Sequence, residues 1–205
     1  MKKITILLMV GILVSSTIGA VGTQSNKEHS ASLSAYLNTP SYTTRQIDSE
    51  DYLLIELSDV STFQTTAGQP QLPKIVQTFE LPFGATDIHV SLTPRDLTTQ
   101  QIDQQIRPAP QMLPLTPEYQ SLAAYTRMKD EKVYAMTTPY PETWFTSSIG
   151  VGLNKDNKHV TFVSVHYYPI RYIPATGTLQ IAHKADISVD YVAPTHNPFP
   201  LTSEY

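Results

Sequence analysis

The stretch VTFVSVHYYPIRYIPATGTLQIAHKADISVDYV, residues 160–192, decides the fold. Two β-rich runs flank a turn signal, Pro174-Ala175-Thr176-Gly177. Proline presets φ at the start of such a turn, and glycine accepts positive φ near its end. After the turn, Leu179, Ile181 and His183 share one face, and Ile187, Val189 and Tyr191 alternate with Ser188 and Asp190. A period of two is that of a half-buried strand. Before the turn, residues 160–172 are apolar on both faces, which suits a strand inside a sandwich. Pro169 cannot donate to a ladder, so the strand must bend, bulge or meet an edge there. The stretch predicts two strands in antiparallel pairing.

Working outward, the same alternation recurs at short, regular spacing. Residues 42–48 and 52–57 predict two short strands around the turn Asp48-Ser49-Glu50-Asp51, and residues 58–66 a loop or edge strand. Ile75, Gln77, Phe79 and Leu81 alternate along residues 74–81. The turn signal Pro82-Phe83-Gly84-Ala85 follows, and then Ile88, Val90 and Leu92 on one face of residues 87–93. Residues 96–107 are polar and read as a solvated sheet edge. A Pro-rich connection follows, with Pro108, Pro110, Pro114 and Pro117. Its length is unusual in a compact domain, where such loops are often functional. Residues 119–132 predict a short helix, and residues 132–136 and 143–153 further strands with Tyr140-Pro141 between them. Asn154-Lys155-Asp156-Asn157 is a hairpin signal leading into the central stretch. The pattern predicts an all-β domain, an antiparallel β-sandwich.

Composition agrees. The 205 residues carry a formal net charge of -4 and sixteen prolines against eight glycines. The charged fraction of 16% is low beside the roughly 25% of ordinary domains, and a mildly acidic chain gives no reason to expect nucleic acid. There is no cysteine, hence no disulfide framework and no thiol nucleophile. Lys2 and Lys3, the apolar run from Ile4 to Val14 and the small residues to Gly22 predict a signal peptide over residues 1–22 and a secreted, extracellular protein. The alternative for that segment is an uncleaved membrane anchor, since it approaches the ~20 residues that span a bilayer. Residues 23–41 read as a flexible leader, residues 42–193 as the sandwich, and residues 194–205 as a linker.

Tests for chemistry find little. The six histidines are scattered. His166 and His183 would share one face if the main hairpin ran unbroken, but no third ligand is apparent, so no metal or other cofactor is expected. There is no G-x-S-x-G elbow, and the glycines are too dispersed for a phosphate loop. Asp130 and Glu131 read as a solvated turn, and Tyr167, Tyr168 and Tyr172 as packing. Residue chemistry alone reaches a secreted all-β domain without a catalytic cluster.

The chain resembles the N-terminal pro-domain of gingipain-type cysteine peptidases. The likeness rests on Gly68-Gln69-Pro70-Gln71-Leu72-Pro73 and the strand to Leu81-Pro82, on Arg107-Pro108-Ala109-Pro110, on Tyr140-Pro141, and on Val165 through Pro174 followed by Gly177-Thr178-Leu179. At the last of these the family shows Pro-x-x-Tyr-Asn-Pro. Pro169, Tyr172 and Pro174 are kept here, and Ile173 replaces the Asn. On this resemblance Gly68, Pro70, Leu72, Pro73, Tyr140, Pro141, Pro169, Tyr172, Pro174 and Gly177 are family-motif structural positions. The resemblance implies a jelly-roll-like sandwich that precedes a caspase-like cysteine peptidase domain, assists its folding and inhibits it until cleaved off. In the family a basic residue on a pro-domain loop can fill the specificity pocket, and Arg127, Lys129 and Lys132 are the candidates here. The chain is then either a fragment of a longer precursor, acting in cis, or a free-standing pro-domain acting in trans. A secreted or cell-surface β-sandwich adhesion module is the alternative.

Overall fold

The computed structural model describes residues 28–37, 40–47, 50–57, 62–111, 116 and 129–195. The described residues form strands β1 (Glu28–Tyr36), β2 (Ser41–Ile47), β3 (Glu50–Glu56), β4 (Ile75–Pro82), β5 (Thr86–Gln101), β6 (Gln105–Ile106), β7 (Phe145–Leu153), β8 (His159–Tyr167), β9 (Ile170–Ile173) and β10 (Thr178–Val192). A single turn of helix, α1 (Glu131–Tyr134), lies between β6 and β7. The strands make three sheets, ordered β1-β10-β5 with β9 also on β10, β2-β3-β6, and β4-β8-β7. Pairing is antiparallel except between β3 and β6, where Tyr52 and Leu53 run parallel to Gln105 and Ile106. The architecture is an all-β sandwich.

β10 is the spine. β5 follows one of its edges from Thr178↔Gln101 to Val192↔Thr86. The other edge is shared end to end: β9 takes Thr178 to Ile181, and β1 takes Lys184 to Val192. The handover falls at Ala182 and His183, whose N–H and C=O bond to the Pro169 carbonyl and the Leu37 amide. The hairpin from β9 to β10 turns through a 3-10 turn at Pro174–Thr176, closed by Gly177 at φ 62°. A Cβ on Gly177 would also stand 2.5 Å from the Ile102 carbonyl oxygen, so any other residue meets both backbone strain and a clash.

Two apolar layers follow from the alternation. Val163, Val165 and Tyr167 of β8 pack with Leu81 against Ala185, Ile187 and Val189 of β10. Leu53 and Ile55 of β3, with Leu72 and Ile106, pack against Ile170, Tyr172, Leu179 and Ile181. Each fully buried side chain of this size contributes about 1.5–3 kcal/mol relative to exposure. The alternating faces expected at Ile75, Phe79 and Leu81 and at Ile88, Val90 and Leu92 are the inward ones.

The structure departs from the sequence reading in several places. The stretch read as a leader contains β1, paired along β10 from Glu28↔Val192 to Tyr36↔Lys184. Residues 160–172 are two strands in two sheets, because at Pro169 the ladder with β4 and β7 ends and the ladder with β10 begins. Only β9 therefore forms the hairpin with β10. Residues 86–101 are one long edge strand rather than two. Residues 132–136 are not a strand: the Asp130 side chain accepts from the Lys132 amide and caps α1, which satisfies a first-turn donor as an N-cap does. The segments 1–22, 119–128 and 196–205, and Arg127, lie outside the described residues.

Candidate functional site

The long Pro-rich connection leaves the described chain at Gln111 and returns at Lys129, apart from the single described position Thr116. Its two stems are tied to one residue. The Gly68 amide donates to the Ala109 carbonyl at 2.9 Å, and the Gly68 carbonyl accepts from the Asp130 amide at 2.8 Å. Gly68 is buried and has φ 78°, a left-handed conformation that costs a side-chain-bearing residue about 1–2 kcal/mol. The ladder continues outward: Ala109 N donates to Gln69 O at 2.8 Å and Gln71 N to Arg107 O at 2.8 Å, with Pro70 bridged to Pro108 and Pro73 to Phe63. Leu72, fully buried, anchors this ladder in the core. Pro70 and Pro73 suit such short bridges, since an isolated bridge does not require their missing amides.

A second tie crosses the same connection. The Tyr134 hydroxyl donates to the Ile106 carbonyl at 2.6 Å from a buried position. Burial pushes the Tyr134 phenol far above its ordinary range, and the neighbouring Tyr172, Tyr52 and Tyr140 add to the rise. Tyr172 is raised by burial too, partly offset by its bond to the Ile106 backbone.

The third tie joins Tyr140 and Tyr172, whose backbones exchange two N–H···O bonds of 2.7 Å. The Tyr140 hydroxyl donates to Gln69 Oε1 at 2.7 Å, and burial lifts its pKa to about 12. Tyr140-Pro141 is a cis peptide, and the Pro141 carbonyl accepts from Arg171 Nε at 2.9 Å. The Arg171 guanidinium lies over the Trp144 ring, 4.9 Å from its centroid.

Positions spread from Gly68 to Gly177 thus converge on one piece of scaffold. Gly68, Pro70, Leu72, Tyr140 and Tyr172 gather at the root of the connection, Pro73 bridges to Phe63 and Pro141 bonds to Arg171 beside it, while Pro169, Pro174 and Gly177 set the bend and the turn on either side of β9. The candidate basic residues follow the clamp. Lys129 is one residue before Asp130, is 25% exposed at its side chain, and pairs with Glu131 at 3.7 Å. Lys132 is exposed on α1. Tyr134, Asp130 and Gln69 carry the clamp: the sequence pattern makes Asp130 part of a solvated turn and places Gln69 in the 68–73 motif without a role, and nothing in it marks Tyr134. His166 and His183 are not brought together: they lie in different sheets, and His183 Nε2 bonds to Thr98 Oγ1. Among the described residues no group of three or more potential metal-ligating side chains occurs.

The described residues thus form an all-β sandwich with a long connection strapped at both stems. The Propeptide_C25 family model matches residues 24–201, and the chain belongs to that family. Among solved structures it is similar to the complex of the pro- and mature domains of RgpB from Porphyromonas gingivalis, at 16% identity and a TM-score of 0.63, over 87% of this chain and 89% of that one. It is similar also to a structure addressing the zymogenic latency of gingipain K from Porphyromonas gingivalis, at 12% identity and a TM-score of 0.63, over 82% of this chain and 94% of that one. At these identities the likeness is one of fold. A comparison with curated proteins returns no match.

Proposed function

We propose that this chain is exported by its signal segment at residues 1–22, assists the folding of a caspase-like cysteine endopeptidase domain, and blocks that domain's active site until it is cleaved away. The observation that carries the reading is the double tie of Gly68 to Ala109 and Asp130, which fixes both ends of the connection on a buried backbone. A segment fixed at its ends loses less freedom on docking than a free one, and preorganisation of this kind raises affinity. The solved complex of RgpB pairs a pro-domain with its mature domain, and this supports a peptidase as partner.

The block comes from the segment between residues 108 and 132, with Arg127, Lys129 or Lys132 as the side chain that enters the specificity pocket. A desolvated Lys or Arg end needs a carboxylate partner. The Lys129–Glu131 pair does not commit Lys129 elsewhere, because Glu131 is 76% exposed and such pairs are worth at most about 1 kcal/mol. The test is the inhibition constant of the chain against a gingipain-type peptidase of the same organism, for Arg127→Ala, Lys129→Ala and Lys132→Ala against wild type. One change should weaken inhibition strongly, since the pocket's buried carboxylate loses its partner, and the others little, as rim charges do. If none of the three departs from wild type, the block is steric. If wild type fails to inhibit at micromolar concentration, the reading falls.

A further inference from the structure

β7 is an edge strand, paired on one side by β8 among the described residues. From Phe145 to Leu153 it contains no charged residue and no proline. Other edges are guarded: β5 carries Asp87, Arg95 and Asp96, β2 carries Arg45, and β4 carries Glu80. Long uncharged edges are templates for another chain, and proteins normally block them with charge, proline or a cover. The register places Ile149 and Val151 opposite Val163 and Thr161, on the inward face. Val163 and Thr161 are buried, whereas Ile149, Val151 and Leu153 are 56%, 70% and 55% exposed. The strand thus presents a row of apolar side chains that are more than half exposed.

At the start of this strand stands a cation without an acid. Arg171 Nε is bonded to the Pro141 carbonyl and the guanidinium is stacked on Trp144, while no carboxylate pairs with it among the described residues. Its orientation is fixed, and its terminal amino groups have no hydrogen-bond partner among the described residues, which suits the recognition of a carboxylate. Partial burial also lowers its pKa, the direction expected of a cation that has lost water without gaining a counter-charge. The cluster is continuous with the loop root, because Pro141 follows Tyr140, whose hydroxyl holds Gln69 beside Gly68.

We propose that β7 and Arg171 together receive an extended, acid-bearing segment of the peptidase domain, which adds as a strand to the β4-β8-β7 sheet and places its carboxylate on Arg171. This rests on the pro-domain reading above and extends it from the loop to a second contact, continuous with the loop root through Pro141, Tyr140 and Gln69. Strand addition supplies affinity through the main chain and specificity through alternate side chains. The apolar row calls for apolar residues at alternate positions of the incoming segment, and the guanidinium for an Asp or Glu near one end.

The experiment measures inhibition of a mature gingipain-type peptidase of the same organism by the wild-type chain, Val151→Lys and Arg171→Gln, at low and high salt. Melting temperatures and sedimentation equilibrium are recorded alongside. Each variant is expected to raise the inhibition constant at least tenfold, with Arg171→Gln also flattening the salt dependence. Val151 is 70% exposed, so Val151→Lys keeps the wild-type melting temperature and carries the test if Arg171→Gln fails to fold. Wild-type inhibition with the variants unchanged overturns this inference and leaves the pro-domain reading standing. Failure of wild type to inhibit overturns both. A dimer of the chain that Val151→Lys dissociates, with inhibition unchanged, assigns the edge to a second copy and overturns the peptidase as its occupant.

Discussion

The Tyr134 hydroxyl holds the Ile106 carbonyl at 2.6 Å, 28 residues apart in sequence, with the entire Pro-rich connection between them. Both residues are buried, at 5% and 0% exposure. The bond therefore closes the neck of a long loop inside the fold. Tyr134→Phe keeps the ring and removes the donor. It is expected to cost about 1–3 kcal/mol, the range for leaving a buried carbonyl without its partner, as read by urea unfolding. A cost within ±0.3 kcal/mol would show that the neck is held by packing alone.

Gly68→Ala tests the other closure. Gly68 sits at φ 78°, so the substitution is expected to destabilise the chain by about 1–2 kcal/mol through the left-handed backbone. It should also weaken peptidase inhibition by more than its stability loss explains, because both stems hang from this one residue. A variant as stable and as inhibitory as wild type would show that the stems find their places without it.

Ile181 is 3% exposed between the β2-β3-β6 sheet and the hairpin. Ile181→Ala is expected to cost about 2–5 kcal/mol, as large-to-small changes in close-packed cores do. Chemical denaturation that returns less than ~0.5 kcal/mol would overturn the assignment of this face as interior.

The tyrosines predict a sharp alkaline limit. Burial lifts Tyr140 from 10.0 to about 12 and pushes Tyr134 and Tyr167 higher still. A raised phenol pKa means that the fold favours the protonated form. The associated stability is complete below the ordinary value of 10.0 and is lost as pH rises through the folded value. Absorbance at 295 nm on raising the pH should show the exposed tyrosines ionising first. A later cooperative step, coincident with loss of β-structure by circular dichroism, should carry the buried ones. A single smooth titration of all twelve tyrosines near their ordinary value would contradict the buried cluster.

Much of the framework was legible, and what was missed has physical causes. The turn at Pro174–Gly177 was readable because two residues with strong backbone constraints stand at its ends. The strands at Ile75–Leu81 and Ile88–Leu92 were readable because their inward positions are large and apolar. β1 was not: Glu28 to Tyr36 alternates serine with alanine and leucine, and it becomes a strand because β10 offers a free edge. The break at Pro169 was legible, but not that it changes sheets, since the partners of β8 and β9 are set by distant residues. α1 was read as a strand because Val133 and Tyr134 favour one, and the Asp130 cap and the Tyr134–Ile106 bond override that preference. The motif positions were nameable as a set, but their meeting at Gly68 was not, because Gly68, Ala109, Asp130 and Tyr140 are far apart in sequence.

The strapping of the connection separates two events that a linear view of activation would merge. A peptide-bond cut between residues 112 and 128 divides the chain into an N-terminal piece bearing β1 to β6 and a C-terminal piece bearing α1 and β7 to β10. Those pieces are interleaved: β10 lies between β1 and β5, and β8 lies beside β4. Gly68 grips the new end on each side. A nicked molecule would therefore persist as a two-chain complex with its sheets intact, so scission of the loop and departure of the domain are distinct steps with separate rates.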